Sequence, residues 1–332
     1  SITPLADLMA LRRLVALLKR IKPTIVHAHT PKGGLLGMIA ARLAGVPVRI
    51  YHMRGLPMMT ATGWKRTLLS LTERVSCRLA HRVICVSHSI RQYAIDAGLC
   101  PAEQIVTFHG GSGNGVDAEG RFNPDALDPA TRATLRERHG IPLDATAIGF
   151  VGRVVRDKGL IELAGAWTTL REQFPALRLL ICGRIEPQDP LPPAVLAMLQ
   201  DDPRVHLIGE VTDVPGYLMA MDILCLPTYR EGFPNVPLEA AAMRLPVVAT
   251  RIPGCVDAVA EGDTGLLVPP YDAEALAEAL GRYLADPALR QAHGLAGYAR
   301  VRRDFRRQAI WEAIYGEYRA LLAARGITAC VP

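Results

Sequence analysis

A chain of 332 residues, half of them hydrophobic, has room for two α/β domains, and no run approaches the ~18 consecutive apolar residues of a membrane helix. The net charge of +6 is unevenly spread: residues 1–100 carry 15 Lys/Arg against 3 Asp/Glu, or +12, and the remainder carries −6. A basic N-terminal part suits an anionic partner such as acidic lipid or a phosphorylated substrate, whereas the sparse aromatics and the lack of a recognisable motif argue against nucleic acid.

Short apolar runs alternate with helix-period segments, which predicts parallel α/β architecture. The chain opens on a helix, "PLADLMALRRLVALLKRI", with no strand before it. A doubly wound domain normally starts on a strand, so the leading strands are expected to be missing. No secretory leader is visible, although the chain begins on Ser. At ~100° per residue, Lys19, Arg12, Arg20 and Arg13 fall within an arc of about 120°, with Leu11, Leu14, Leu17, Leu18 and Ile21 opposite. That pattern fits an ordinary surface helix packed on the sheet. It also fits a basic face resting on anionic lipid, at ~1 kcal/mol per cation.

Strands are expected at 24–29, 48–52, 82–87 and 104–110, with helices between them. His27 and His29 share one face at the end of the first of these. A metal site would need further ligands, and none is indicated in the sequence. Residues 110–129, "GGSGNGVDAEGRFNPDALDP", read as a loop and linker. A second series of strands is expected at 146–152, 177–183, 204–210, 222–227, 246–250 and 264–269, and a closing amphipathic helix from about Arg307 to Ala324. The expected domains are 1–125, 126–305 and a C-terminal helix, 306–332, returning towards the first. Seven scattered cysteines (Cys77, Cys85, Cys100, Cys182, Cys225, Cys255, Cys330) without a C-x-x-C pair indicate a reduced, cytoplasmic protein and no zinc site.

Two stretches carry chemistry. In "GFVGRVVRDKGL" a strand ends near Gly152, where glycine allows close backbone approach, and Arg153 and Lys158, five apart, can grip a diphosphate. Such a charged loop is more often plain surface. In "TYREGFPNVPLEAAAMRLPVVAT", Glu231 is expected on the loop after a strand. Glu239 is expected on the first turn of a helix opening at Pro237. The helix start and the amides of Gly232 and Asn235 can donate to phosphate oxygens, and the carboxylates can accept hydrogen bonds from sugar hydroxyls. Glu239 could equally just complement the helix dipole. No D-x-D occurs in the chain.

"GRVVRDKGL", "EGFPNVPLEAAAMRLPVVAT" and "GDTGLLVPPYDAEALAEAL", in this order over residues 146–286, resemble the nucleotide-sugar domain of glycosyltransferase family 4. "KPTIVHAHTPKGGLLGMIAARLAGVP", "HRVICVSHSIR" and "NGVD" resemble its bacterial branch for capsule, exopolysaccharide and lipid-linked oligosaccharides. The resemblance implies a GT-B fold, two Rossmann-like domains with a cleft between them, the first incomplete here. It implies a retaining transferase moving a hexose or N-acetylhexosamine from a nucleotide donor, UDP-linked, to a membrane-anchored saccharide. With the basic first helix and the +12 balance, the expected acceptor is a polyprenyl-diphosphate-linked saccharide and the expected place is peripheral at the inner face of the cytoplasmic membrane. A non-catalytic nucleotide-sugar binder and an epimerase of the same fold are the alternatives.

By the same resemblance Arg153 and Lys158 hold the donor diphosphate, Glu231 contacts the transferred sugar and Glu239 the ribose. Gly152, Gly232, Phe233 and Asn235 complete the donor site. No cofactor is expected, and the two cations with the helix dipole would take a metal's place. Relatives carry a His where this chain has Arg54, in "YHMRGLP". Arg is no base at neutral pH, so Arg54 is read as a phosphate contact and His29 as an acceptor-side contact. Relatives also carry Gly where Arg244 ends a helix; a left-handed Arg there costs roughly 1 kcal/mol.

Overall fold

A computed structural model describes residues 4–328. The chain divides into two units, Ser1–Asn114 with Gln308–Pro332, and Gly115–Arg307. Cys330 lies outside the described residues; the other six cysteines are buried.

In the first unit the expected strands form as β1 (Ile25–His29), β2 (Val48–Met53), β3 (Arg82–Cys85) and β4 (Ile105–Val106), hydrogen-bonded in parallel in that order. Helices α1 (Pro4–Ile21), α2 (Pro31–Leu43), α3 (Gly63–Leu79) and α4 (His88–Asp96) alternate with them. Ser87 caps α4, its Oγ accepting from Ile90 N at 3.3 Å. The β1–β2 register pairs Ile25 with Val48 and therefore His29 with His52.

α1 packs mainly on α2, and Val26 of β1 joins the same cluster. Leu18 is buried with Ala40, Ala41 and Val46, and Leu11, Leu14 and Val15 pack beside them. Leu17 and Ile21, expected on the covered side, are exposed, because the contact with α2 is narrower than the apolar arc. Leu5 and Met9 are exposed as well. At ~100° per residue these two fall inside the basic arc.

The second unit contains β5 (Ala147–Val151), β6 (Arg178–Cys182), β7 (Val205–Gly209), β8 (Ile223–Leu226), β9 (Val247–Thr250) and β10 (Gly265–Val268). Its helices are α5 (Thr131–Arg138), α6 (Leu160–Gln173), α7 (Pro193–Asp201), α8 (Val214–Ala220), α9 (Asn235–Ala242), α10 (Cys255–Ala258), α11 (Ala273–Ala285) and α12 (Pro287–Asp304). β5, β8, β9 and β10 are buried along their whole length, as parallel strands covered on both faces must be. The strand order is β10-β9-β8-β5-β6-β7. Winding starts at β5, runs outward through β6 and β7, then returns to lay β8 on the other side of β5. That reversal is the switch point at which open α/β sheets bind ligands, outside the carboxyl ends of the two strands.

Residues 115–125, expected in the first domain, belong to the second unit. Val116 N donates to Phe305 O at 2.8 Å, and Val116, Ala118 and Phe122 are buried in this unit's core. The chain then returns to the first unit as α13 (Arg307–Ala323), where Leu321 and Leu322 are buried with Val48, Ile50 and Ile84. Arg244 is left-handed (φ 62°), as expected at that helix end. Its side chain makes up part of the cost: Nη1 donates to Asp125 Oδ1 at 2.9 Å, and the guanidinium sits 4.7 Å over the Tyr298 ring.

Candidate functional site

The loops that leave β5 and β8 at the switch point carry the residues singled out in the second unit, and they are laced to each other. Tyr229 N and Thr228 Oγ1 both donate to Asp157 O, at 3.0 and 3.2 Å, and Arg230 Nη2 donates to Asp157 Oδ2 at 2.8 Å. Gly159 makes this closeness possible. Its φ is +72°, and a Cβ there would stand 1.9 Å from Pro227 O. Gly254 serves the other side of the β8 loop, where a Cβ would meet Gly232 O at 2.5 Å.

Held this way, Lys158, on a short 3-10 turn after β5, forms an ion pair through Nζ with Glu231 Oε1. Both side chains are largely withdrawn from solvent, which strengthens their attraction relative to a surface pair. Arg153 does not join them. Its Nη1 donates to Glu186 Oε2 at 3.0 Å, and its side chain is mostly exposed. Arg153 and Arg184 together hold the Glu186 carboxyl below its ordinary range, the hydrogen bond from Arg153 being the largest cause.

Glu239 is placed differently from the expectation. α9 begins at Asn235, not Pro237, so Glu239 is its fifth residue and lies past the first turn. The residue before it in the loop, Pro234, takes the extended conformation that starts the helix two positions earlier. Burial raises the Glu239 carboxyl above its ordinary range, with the charge of Arg121 opposing. Arg121 was not foreseen, because it lies 118 positions away on the segment assigned to the other domain. Phe233 packs against this unit's core and sets its ring 5.7 Å from that of Phe305, so it anchors the loop. Gly152 takes φ +157° at the end of β5, Gly232 precedes Phe233, and Asn235 opens α9.

In the first unit, His29 and Arg54 do meet: Arg54 Nε donates to His29 Nδ1 at 3.2 Å, and Arg54 Nη2 to Asn114 Oδ1 at 3.2 Å. Sequence reasoning placed His52 only as a neighbour of Arg54. The β1–β2 register brings it beside the His27/His29 pair, with ring centroids 5.2 Å from His27 and 5.0 Å from His29. Burial, then the charges around it, lowers His27 to about 3 and His52 to about 2, and His29 is lowered by burial and by Arg54.

Lys158, Glu231 and the start of α9 thus stand outside the carboxyl ends of β5 and β8, the place where open α/β sheets bind ligands. The model of "Glycosyl transferases group 1" matches residues 145–286, and that of "Glycosyl transferase 4-like domain" matches residues 1–111. The chain belongs to this glycosyltransferase family. It is 35% identical over 318 residues to the capsular polysaccharide biosynthesis glycosyltransferase CapM of Staphylococcus aureus, covering 96% of this chain and 82% of CapM. It is 29% identical to the UDP-Gal:alpha-D-GlcNAc-diphosphoundecaprenol alpha-1,3-galactosyltransferase of Escherichia coli, covering 87% and 73%. The structure of Anabaena Alr3699/HepE with UDP-glucose superposes with a TM-score of 0.80 at 22% identity, covering 96% of this chain and 84% of that one. The two parallel-sheet units are those of the GT-B fold.

Proposed function

We propose that this glycosyltransferase moves a hexose or N-acetylhexosamine from a UDP-sugar to a polyprenyl-diphosphate-linked saccharide, with retention at the anomeric carbon. The observation that carries the reading is the Lys158–Glu231 pair at the switch point of the second unit. A lysine largely withdrawn from water on the loop after β5 can balance the charge that gathers on the β-phosphate as the anomeric C–O bond breaks. The electron pair of that bond leaves with UDP, and the acceptor hydroxyl forms the new bond and loses its proton to the departing phosphate.

Lys158 turns from Glu231 to the diphosphate when the donor binds. This frees the Glu231 carboxylate to accept hydrogen bonds from the transferred sugar. Arg153, whose exposed side chain is paired with Glu186, swings in as the second cation. Glu239 holds the ribose hydroxyls. Gly152, whose N–H donates to Cys182 O at 2.9 Å, lets the backbone approach the donor closely, and Gly232 and Asn235 lie at the start of α9 beside it. Arg54, fixed by His29 and Asn114, is a phosphate contact on the acceptor side and not a base. The transfer needs no metal, because two cations and the helix start carry the charge a metal would otherwise balance; UDP affinity in this unit should then be unchanged by EDTA.

The relatives' names support the nucleotide donor and the lipid-linked acceptor. α1 supports a station on the inner leaflet of the cytoplasmic membrane. Arg12, Arg13, Lys19 and Arg20 are exposed, with Leu5 and Met9 among them in projection, which is the composition of a helix lying in an anionic interface. No helix of the described residues is long and apolar enough to cross a membrane. The test is UDP release from UDP-sugars with and without polyprenyl-diphosphate-linked saccharide. Release that depends on acceptor supports transfer, and UDP-sugar binding without release would leave a nucleotide-sugar binder instead.

A further inference from the structure

The first unit holds three histidines of which the proposed transfer uses only His29, through its contact with Arg54. His27, His29 and His52 lie on one face of β1 and β2, the face covered by α13, and one ring nitrogen from each falls within 4.8 Å of the others. His27 Nε2 and both ring nitrogens of His52 are buried and have no hydrogen-bond partner among the described residues. Leaving three such atoms unpaired is costly and calls for an explanation.

We propose that these three imidazoles form a binding site for one divalent transition-metal ion, Zn2+ in particular. Imidazole nitrogen suits Zn2+, Co2+ and Ni2+ and does not suit Mg2+ or Ca2+. Two further contacts decide how the site would work. Tyr318 Oη, on α13, lies 2.5 Å from His27 Nδ1. With Nδ1–H donating to Tyr318, the lone pair of His27 sits on Nε2, the unpaired atom, as the outer partner of a metal-bound histidine arranges.

Arg54 works in the opposite sense. It is a donor only, so its bond to His29 Nδ1 fixes the proton of His29 on Nε2. Its charge also repels a cation. Metal binding therefore requires Arg54 to release His29, and Arg54 becomes a latch on the site. The Zn2+ would tie β1 and β2 together beneath α13, apart from the donor chemistry.

The experiment uses the full chain, stripped with chelator and titrated with Co2+ while its visible d–d absorption is followed, then with Zn2+ to displace it. The expected result is one Co2+ per chain. His29→Ala, whose side chain is exposed and whose loss should not disturb folding, should weaken binding about 10-fold or more. His52→Gln should do the same, with unchanged circular dichroism showing that it folds. Tyr318→Phe should weaken binding to a similar degree, and Arg54→Ala should tighten it. The last result separates a ligand site from a packed imidazole stack, which Arg54 would not affect. Absence of d–d bands, or equal Co2+ affinity in the parent and His29→Ala, would overturn the proposal. So would Co2+ binding that Arg54→Ala leaves unchanged or weakens. UDP binding and UDP release are not read, so neither outcome depends on the proposed function.

Discussion

Gly159→Ala puts the geometry of the donor loops to a quantitative test. The residue has φ +72°, and the added methyl would stand 1.9 Å from Pro227 O, well inside any real contact. The left-handed backbone alone costs an alanine about 1–2 kcal/mol. Forcing a methyl into filled space adds about 1–3 kcal/mol. The two together amount to roughly 2–5 kcal/mol, or a fall in Tm of roughly 5–20 °C for a unit of this size. The strain is relieved only by separating the β5 and β8 loops, which moves Glu231 away from Lys158, so UDP affinity should fall with Tm. Gly140→Ala is the control: its φ is +66° but nothing lies within 4 Å of the added methyl. It should show the backbone part of the cost alone and bind UDP normally. Thermal scans and UDP titration of both variants give the answer. Equal Tm shifts in the two, with UDP affinity intact in Gly159→Ala, would refute the close packing of the loops.

Three further outcomes are expected. Glu73 is buried, accepts from Tyr51 Oη at 2.7 Å, and is raised to about 7 by burial from an ordinary 4.5, so the folded state keeps a proton that the unfolded state has lost between those values. Stability should therefore fall as pH rises from 4.5 to 7, by at most about 3 kcal/mol. Glu73→Gln should flatten that slope in urea unfolding at pH 5 and pH 8, and an unchanged slope would contradict the reading. Arg136 is wholly buried and donates to four carbonyls and to Asp222 Oδ2. Arg136→Met should cost about 3–5 kcal/mol in urea unfolding, because those acceptors lose their partner together; a loss below about 1 kcal/mol would show the network to be dispensable. Binding to phosphatidylglycerol vesicles should fall with salt and with neutralisation of Arg12, Arg13, Lys19 and Arg20. Indifference to both would remove the membrane station.

The ten strands of the described residues were legible as short, mostly apolar runs bounded by turn residues, most plainly β5, β8, β9 and β10, which are covered on both faces and so need unbroken apolar segments. The order of those strands was not legible, since it depends on which edge each crossover takes. The Lys158–Glu231 pair follows from order and local motif together: once β8 lies beside β5, their loops must meet. Glu186 as the partner of Arg153, and Arg121 beside Glu239, depend on contacts between segments far apart in sequence, which no spacing reports. The third histidine escaped for a related reason. His27 and His29 share a strand, so their common face is a matter of counting, whereas His52 joins them only through the β1–β2 register. The domain boundary was displaced because a Gly- and Pro-rich stretch reads as linker throughout. Phe122 within it is a core residue of the second unit, a role its neighbours in sequence do not reveal.

The most direct test of the donor site is the affinity of the chain for UDP, measured by calorimetry in the parent and in Lys158→Ala. Loss of a charge-assisted contact to the diphosphate should weaken binding about 10–100-fold with folding intact. Parental affinity in Lys158→Ala, or a parent that does not bind UDP at all, would contradict the placement of the sugar nucleotide at the switch point.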